Sequence, residues 1–221
     1  SGNCTIYNPN TVVQVIVPTA GSFNSNQVVC YNNAPTTFTE NVASIGSDYL
    51  QWKWQKSTDN AAWSTISGAT NASYTSSTLT QTTYFRRLST TVVGTTTCAT
   101  DTIGDTITVN VLNPSAGSIS GGEDICVGDD PAPILNASFG SAGGTYKWYT
   151  AIAFNNPVWV QIPGASDSSY DPPIGLTQTT YYKRETTLSS LAKTCATSTN
   201  SVTIKVGPSV TGGTLPTDQI L

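Results

Sequence analysis

The sequence predicts an all-β protein built of tandem immunoglobulin-like β-sandwich domains arranged end to end. Three observations carry this reading. The chain repeats itself at an interval of 94 to 97 residues. Its apolar residues alternate with period two and show no helical spacing. Each copy holds about seven short runs rich in Thr, Val, Ile and aromatics, the strand count of such a sandwich.

The repeat is read from landmarks: Cys30 aligns with Cys126, Trp54 with Trp148, Trp63 with Trp159, Tyr74 with Tyr170 and Cys98 with Cys195. The letters LTQTTY from Leu79 return unchanged from Leu176. Residues 1–17, with Cys4 and a Val-rich stretch, match the tail of a copy, and PSVTGGTL from Pro208 resembles PSAGSISGG from Pro114. The expected organisation is therefore 1–17 as the terminal strand of a preceding repeat, 18–113 as repeat 1, 114–207 as repeat 2 and 208–221 as the start of a following repeat. With no Met in 221 residues, the chain reads as a window on a longer tandem array.

Within repeat 1 the strands are expected at 27–30, 36–42, 49–55, 63–66, 73–75, 83–90 and 106–112, punctuated by Gly, Asn, Asp and Pro between them. Repeats are joined by short Pro-bearing junctions at 17–21, 112–117 and 206–209, which limit swing between neighbours and point to a stiff rod.

Composition excludes several functions. The chain has 9 basic and 13 acidic residues, a net charge of −4, and no Lys/Arg cluster, so nucleic acid is a poor partner. There is no His, which removes Ser-His and Cys-His pairs and most zinc sites. No apolar run approaches the roughly 20 residues that span a bilayer, so direct membrane insertion is not expected. No pair of carboxylates has the look of a shared acid and base, and neither catalysis nor a cofactor is expected within this sequence.

The five cysteines are explained if each copy pairs its own two, Cys30 with Cys98 and Cys126 with Cys195, leaving Cys4 an orphan. The rival connectivity would join Cys4 to Cys30 and Cys98 to Cys126. It is disfavoured because a last strand running the length of one sandwich and a first strand of the next should separate those sulfurs beyond bonding distance. Disulfides imply an oxidising compartment.

Trp54 and Trp148 fall on the third strand, where a sandwich places its core indole. Trp63 and Trp159 fall on the next strand, at an edge, where an indole either covers the sandwich or stands as a platform for a sugar ring. Tyr84 and Tyr181 stand where a tyrosine corner would close the preceding turn. The second Cys comes 14 residues after that Tyr in each copy, so the bridge is not that of antibody domains. Glu123, Asp124, Asp129 and Asp130 form an acidic cluster that is either a solvated loop or a weak calcium site.

The series YxW at Tyr146–Trp148, W-x-x-I-x-G-A-x-x-x-x-Y at Trp159–Tyr170, LTQTTYYxR at Leu176–Arg184 and a Cys before a final Val-rich strand resembles the Ig-like repeats of very large Bacteroidota surface proteins. Repeat 1 carries the same series at Trp52–Trp54, Trp63–Tyr74 and Leu79–Arg87. The resemblance implies export to the cell surface, often by the type IX system, and a stalk role in gliding-motility adhesins. It also makes Thr102 and Thr106, each after an Asp and before an Ile, candidates for O-glycosylation.

The leading expectation is a non-catalytic stalk or filament segment of a bacterial surface adhesin. Its partners would be neighbouring repeats of the same polypeptide, with surface glycans or other cells at a distal end. The alternatives are a carbohydrate-binding module resting on Trp63 and Trp159, or an accessory domain of a secreted hydrolase.

Overall fold

The computed structural model describes residues 6–8, 11–13, 21–23, 26–42, 50–93, 96–153 and 155–208, of which 6–8, 11–13, 93 and 96–103 are described by backbone alone. Cys4, the junction at 17–20 and the segment 209–221 lie outside the described residues. Every regular element among the described residues is a strand: β1 Ile6–Asn8, β2 Thr11–Val13, β3 Ser22–Phe23, β4 Gln27–Cys30, β5 Glu40–Val42, β6 Leu50–Ser57, β7 Ser64–Thr65, β8 Thr83–Val93, β9 Thr96–Ile103 and β10 Ile107–Leu112. Copy 2 follows with β11 Ser118–Ser120, β12 Glu123–Cys126, β13 Leu135–Ser138, β14 Thr145–Ala151, β15 Val160–Gln161, β16 Thr180–Ser190, β17 Lys193–Ser198 and β18 Val202–Gly207.

In copy 1 the main sheet runs β4-β10-β8-β6-β7, with β9 pairing β8, and a small sheet pairs β3 with β5. Copy 2 repeats this order as β12-β18-β16-β14-β15, with β17 on β16 and β11 on β13. In both copies the first strand of the main sheet lies parallel to the last, Cys30 beside Leu112 and Cys126 beside Gly207. The other strand pairings among the described residues are antiparallel. These are immunoglobulin-like sandwiches, as the sequence predicts. Strands β1 and β2 pair with each other, Ile6 opposite Val13.

Alternation builds each core. Along β8, Thr83, Phe85 and Arg87 face inward, and along β16 Thr180, Tyr182 and Arg184 do the same. Copy 1 packs Phe23, Phe38, Trp54, Phe85, Ile107 and Val109 into one cluster. Its rings are tilted, Phe38 on Phe85 at 4.9 Å and Phe23 on Trp54 at 5.1 Å between centroids. Copy 2 places Ile119 and Ile134 where copy 1 has Phe23 and Phe38, around the same tryptophan, Trp148. Trp54 and Trp148 are fully buried, and each indole Nε1 donates to a backbone carbonyl, of Asn71 and Asp167, both at 2.9 Å. That bond is what lets an indole stay in an apolar core without an orphaned donor.

The repeated letters LTQTT have a structural reason. Thr83 and Thr180 hydroxyls donate to the carbonyls of Gln81 and Gln178, both at 2.9 Å, closing the turn into β8 and β16. Thr82 and Thr179 hydroxyls accept from Val111 and Val206 amides at 3.3 and 3.2 Å, tying that turn to the last strand. The interior face of the strand is taken by Phe85 and Tyr182, so Tyr84 and Tyr181 face the other way. The structure differs from the seven-strand expectation for repeat 1 by adding β3 and β9, the latter folded back on β8, and by reducing 73–75 to an isolated bridge between Tyr74 and Phe38; β11 and β17 are the matching additions in copy 2.

The chain divides into two compact units, Ser1–Asn113 with Ser189–Cys195, and Pro114–Leu188 with Ala196–Leu221. The tip of the β16–β17 hairpin thus belongs with the first unit, although it falls within the second copy.

Candidate functional site

The chemistry that the fold makes most of is sulfur. Cys30 ends β4. Beyond it the chain turns through Asn32, whose φ of 62° is tolerated by Asn better than by most residues. Three backbone bonds hold this turn: Asn33 N–H to Cys30 O at 3.0 Å, Tyr31 N–H to Leu112 O at 2.9 Å and Asn32 N–H to Leu79 O at 2.8 Å. The second sulfur comes from the β16–β17 hairpin. Its two-residue loop is Leu191–Ala192, with φ of 45° and 61°. Positive φ at both positions is what a type I′ hairpin turn needs, and it is strained for residues with a Cβ. Ser189 and Thr194 hydroxyls meet across the hairpin at 2.9 Å.

Cys30 and Cys195 are joined as a disulfide, with Cα atoms 5.5 Å apart and a sequence separation of 165. Cys195 is buried, and the carbonyl oxygen of Thr194 lies 3.7 Å from Cys30 Sγ. Cys126 is a free, exposed thiol. The expected pairings Cys30–Cys98 and Cys126–Cys195 are therefore corrected: the cystine links the first strand of one copy to the hairpin of the next. Cys98 is described by its backbone alone.

The physical reason lies in strand direction. Thr83 of β8 is opposite Val109, and Cys30 lies beside Leu112, three residues further out. Cys98 sits on β9 between Thr97 and Ala99, which pair with Val92 and Thr91 at the far end of β8. Eight residues of strand at about 3.3 Å each put more than about 25 Å between the two positions, against the roughly 7 Å limit for a disulfide. The cysteines of one copy stand at opposite ends of their own sandwich. In copy 2 β16 likewise runs away from the end where Cys126 sits beside Gly207.

The other expected site residues are placed as follows. Trp63 and Trp159 are half-buried, each just ahead of an edge strand, β7 and β15. A cation covers one face of each ring, Arg86 Cζ 4.2 Å from the Trp63 centroid and Lys183 Nζ 4.7 Å from that of Trp159. Such cation–π contacts give both indoles a packing role, and a sugar would have only the other face. Thr106 is exposed in the loop between β9 and β10, and Thr102 lies on β9 opposite Ser89.

The acidic cluster does not converge. Glu123 accepts from the Ala132 amide, Asp124 faces Lys205 at 3.5 Å, and Asp129 accepts from the Cys126 amide at 3.0 Å. Asp130 is exposed. Among the described residues no group of three or more His, Cys, Asp or Glu side chains is arranged to hold a metal ion. The weak calcium assignment to Glu123, Asp124, Asp129 and Asp130 is corrected accordingly: the first three carboxylates are spent on separate local bonds, and Asp130 is exposed.

Sequence reasoning missed two residues. Arg87 and Arg184 are fully buried. Arg87 pairs with Glu40 and donates to the carbonyl of Ala72 at 2.6 Å. Arg184 donates to Asn136 Oδ1 at 2.7 Å and to the carbonyls of Ser168, Ser138 and Ala116 at 2.5, 3.1 and 3.2 Å, with its guanidinium 4.3 Å from the Tyr146 ring. Burial pushes the Arg184 pKa down and the Tyr146 ring holds it up, yet the group stays charged. The available signal was period two, which puts this arginine on the same face as Phe85 or Tyr182.

Among the described residues no helix is long and apolar enough to cross a membrane. A protein family described as Domain of unknown function (DUF8696) matches residues 19–113 and again 115–208. No curated protein matches the chain. Among solved structures, Sidekick-1 immunoglobulin domains 1-4 align at 12% identity with a TM-score of 0.41, over 90% of this chain and 49% of that one. This chain thus spans about half the length of that segment. Chicken CNTN1 FN1-FN3 domains align at 9% identity and a TM-score of 0.37, over 89% of this chain and 70% of that one.

Proposed function

Since the chain belongs, in both of its copies, to the family described as Domain of unknown function (DUF8696), whose description assigns no activity, we propose its role from the sandwiches and their sulfur: it is a non-catalytic stalk or filament segment of an exported surface protein. The observation that carries this is the cystine between Cys30 of one copy and Cys195 in the hairpin of the next. A disulfide that spans two consecutive repeats is useful where tension runs along the chain, because it shortens the covalent path. Force entering before Cys30 and leaving after Cys195 crosses one sulfur–sulfur bond, and the residues between are spared extension. The oxidising compartment that such a bond needs fits an extracellular setting. The surface rich in Ser and Thr and the resemblance to Bacteroidota surface repeats favour an adhesin stalk whose partners are neighbouring repeats of the same polypeptide.

Single-molecule pulling on the full chain from its two ends tests this. The oxidised chain should withhold the segment between Cys30 and Cys195. Reduction should release 165 residues of contour, roughly 580 Å at about 3.5 Å per residue. An oxidised chain that extends to the same length as a reduced one would remove the mechanical role.

A further inference from the structure

We propose that Cys126 is the receiving half of a second cystine, formed with the hairpin cysteine of a following repeat of the same kind. The inference rests on the tandem reading above and extends it to a rule: the first main-sheet strand of each copy is joined by sulfur to the hairpin of the copy after it.

The turn that follows Cys30 recurs around Cys126, where two of its three backbone bonds, those donated by Asn32 and Asn33, are rebuilt by Gly128 and Asp129. Each cysteine ends a strand that runs parallel to the last strand of its sandwich, Cys30 beside Leu112 and Cys126 beside Gly207. Each is followed at the second position by a residue of positive φ, Asn32 at 62° and Gly128 at 93°. Each carbonyl closes the same turn, accepting from Asn33 at 3.0 Å or Asp129 at 3.2 Å. Each turn is tied to the same leucine of the LTQTT motif, Asn32 N–H to Leu79 O at 2.8 Å and Gly128 N–H to Leu176 O at 3.4 Å. Copy 2 adds one bond that copy 1 does not show, from the Cys126 amide to Asp129 Oδ2 at 3.0 Å. The outcome differs: Cys30 is bonded to a hairpin cysteine 165 residues on, and Cys126 is a free, exposed thiol. A repeat aligned with 114–207 would present its hairpin cysteine at a similar separation from Cys126.

The chemistry balances with an oxidant of the disulfide class. Cys126 and the incoming thiol each give up a proton and an electron as the new S–S bond forms. The S–S bond of oxidised glutathione takes the two electrons and two protons and becomes two thiols.

The test is a longer chain, reading 1–207, then a duplicate of 114–207, then 208–221, with Ser198→Ala in the duplicate as a mass tag. It is refolded in a glutathione redox buffer, remaining thiols are alkylated, and peptides from cleavage at acidic residues, which separates Cys98 from Cys126, are mapped without reduction. The expected result is Cys126 joined to the tagged hairpin peptide and protected from alkylation, with Cys30 still joined to untagged Cys195. In the parent chain Cys126 should be alkylated. Cys126 left alkylated, or joined to another cysteine, while Cys30–Cys195 is closed overturns the inference and leaves the stalk reading standing. Failure of Cys30–Cys195 to form in the same sample removes the bond on which both depend.

Discussion

Copy 1 and copy 2 bury an arginine at the same point of the same strand and satisfy it by different means. Arg87 meets a carboxylate, Glu40, whose side chain is 20% exposed. Arg184 meets Asn136, the residue that occupies the Glu40 position, and its two terminal nitrogens donate further to three backbone carbonyls. What the two share is instructive. Both donate to the carbonyl at one position of the loop before the third core aromatic, Ala72 or Ser168. Both lie over the aromatic two residues before the core tryptophan, Arg87 5.5 Å from Trp52 and Arg184 4.3 Å from Tyr146. The fold therefore asks for a planar, many-donor group here and leaves the counter-charge optional. A guanidinium ties the long strand to the loop that crosses above it, which neither Lys nor an apolar residue could do.

The largest contrast between the copies is in sulfur. Replacing Cys30 and Cys195 together by Ser should cost about 5 kcal/mol in the chain-entropy view of a loop of this size, the separation being 165 residues. Replacing the free, exposed Cys126 in the parent chain should change stability by less than about 0.5 kcal/mol. Thermal melts under non-reducing conditions decide it, and equal losses from the two replacements would dissolve the contrast.

The arginines come next. Glu40→Ala leaves Arg87 buried without its carboxylate and should cost about 3 kcal/mol, the low end for breaking a buried pair because Glu40 is partly solvated. Asn136→Ala removes one of four acceptors from Arg184 and should cost about 1.5 kcal/mol. Glu40→Asn, which gives copy 1 the residue of copy 2, should recover part of the loss. Hydrogen exchange of amides in β6 and β14 reads each copy separately. An Asn136→Ala effect as large as that of Glu40→Ala would mean that copy 2 depends on a single bond after all.

Much of this was legible in the sequence. The interval between equal landmarks fixes two copies, alternation places Trp54 and Trp148 inside, and Gly, Asn and Pro mark the strand ends. The rest was hidden for physical reasons. Leu191–Ala192 carries none of the Asn-Gly chemistry that marks a tight hairpin turn, so β17 is invisible to a turn search, and with it the reach of Cys195. Cysteine spacing counts residues but not strand direction, and direction sends the two cysteines of a copy to opposite ends. The buried arginines were concealed by the expectation that charge lies outside. The period-two face already contained them.

The smallest effect is local and depends on pH. Asp59, two residues past the end of β6, accepts at one carboxylate oxygen from the Ala61 and Ala62 amides and the Ser57 hydroxyl, each at 2.8 Å. The Ala61 amide first, then the Ser57 hydroxyl and the Ala62 amide, hold its pKa at about 2, below the ordinary 3.8. A carboxyl whose folded pKa is depressed stabilises the folded loop above its unfolded pKa and loses that contribution as pH falls toward the folded value. The loop of copy 1 should therefore loosen between pH 4 and about 2. The position two residues past β14 is Ala153, so the matching loop of copy 2 has no such carboxylate to titrate. Amide chemical shifts of Ala61 and Ala62 followed through that window should move with a midpoint near 2, and Asp59→Ala should abolish the transition while leaving Trp54 buried. Amides that hold still on acidification, or that move equally in Asp59→Ala, would show that the loop is held by its backbone alone and that the two copies do not differ here.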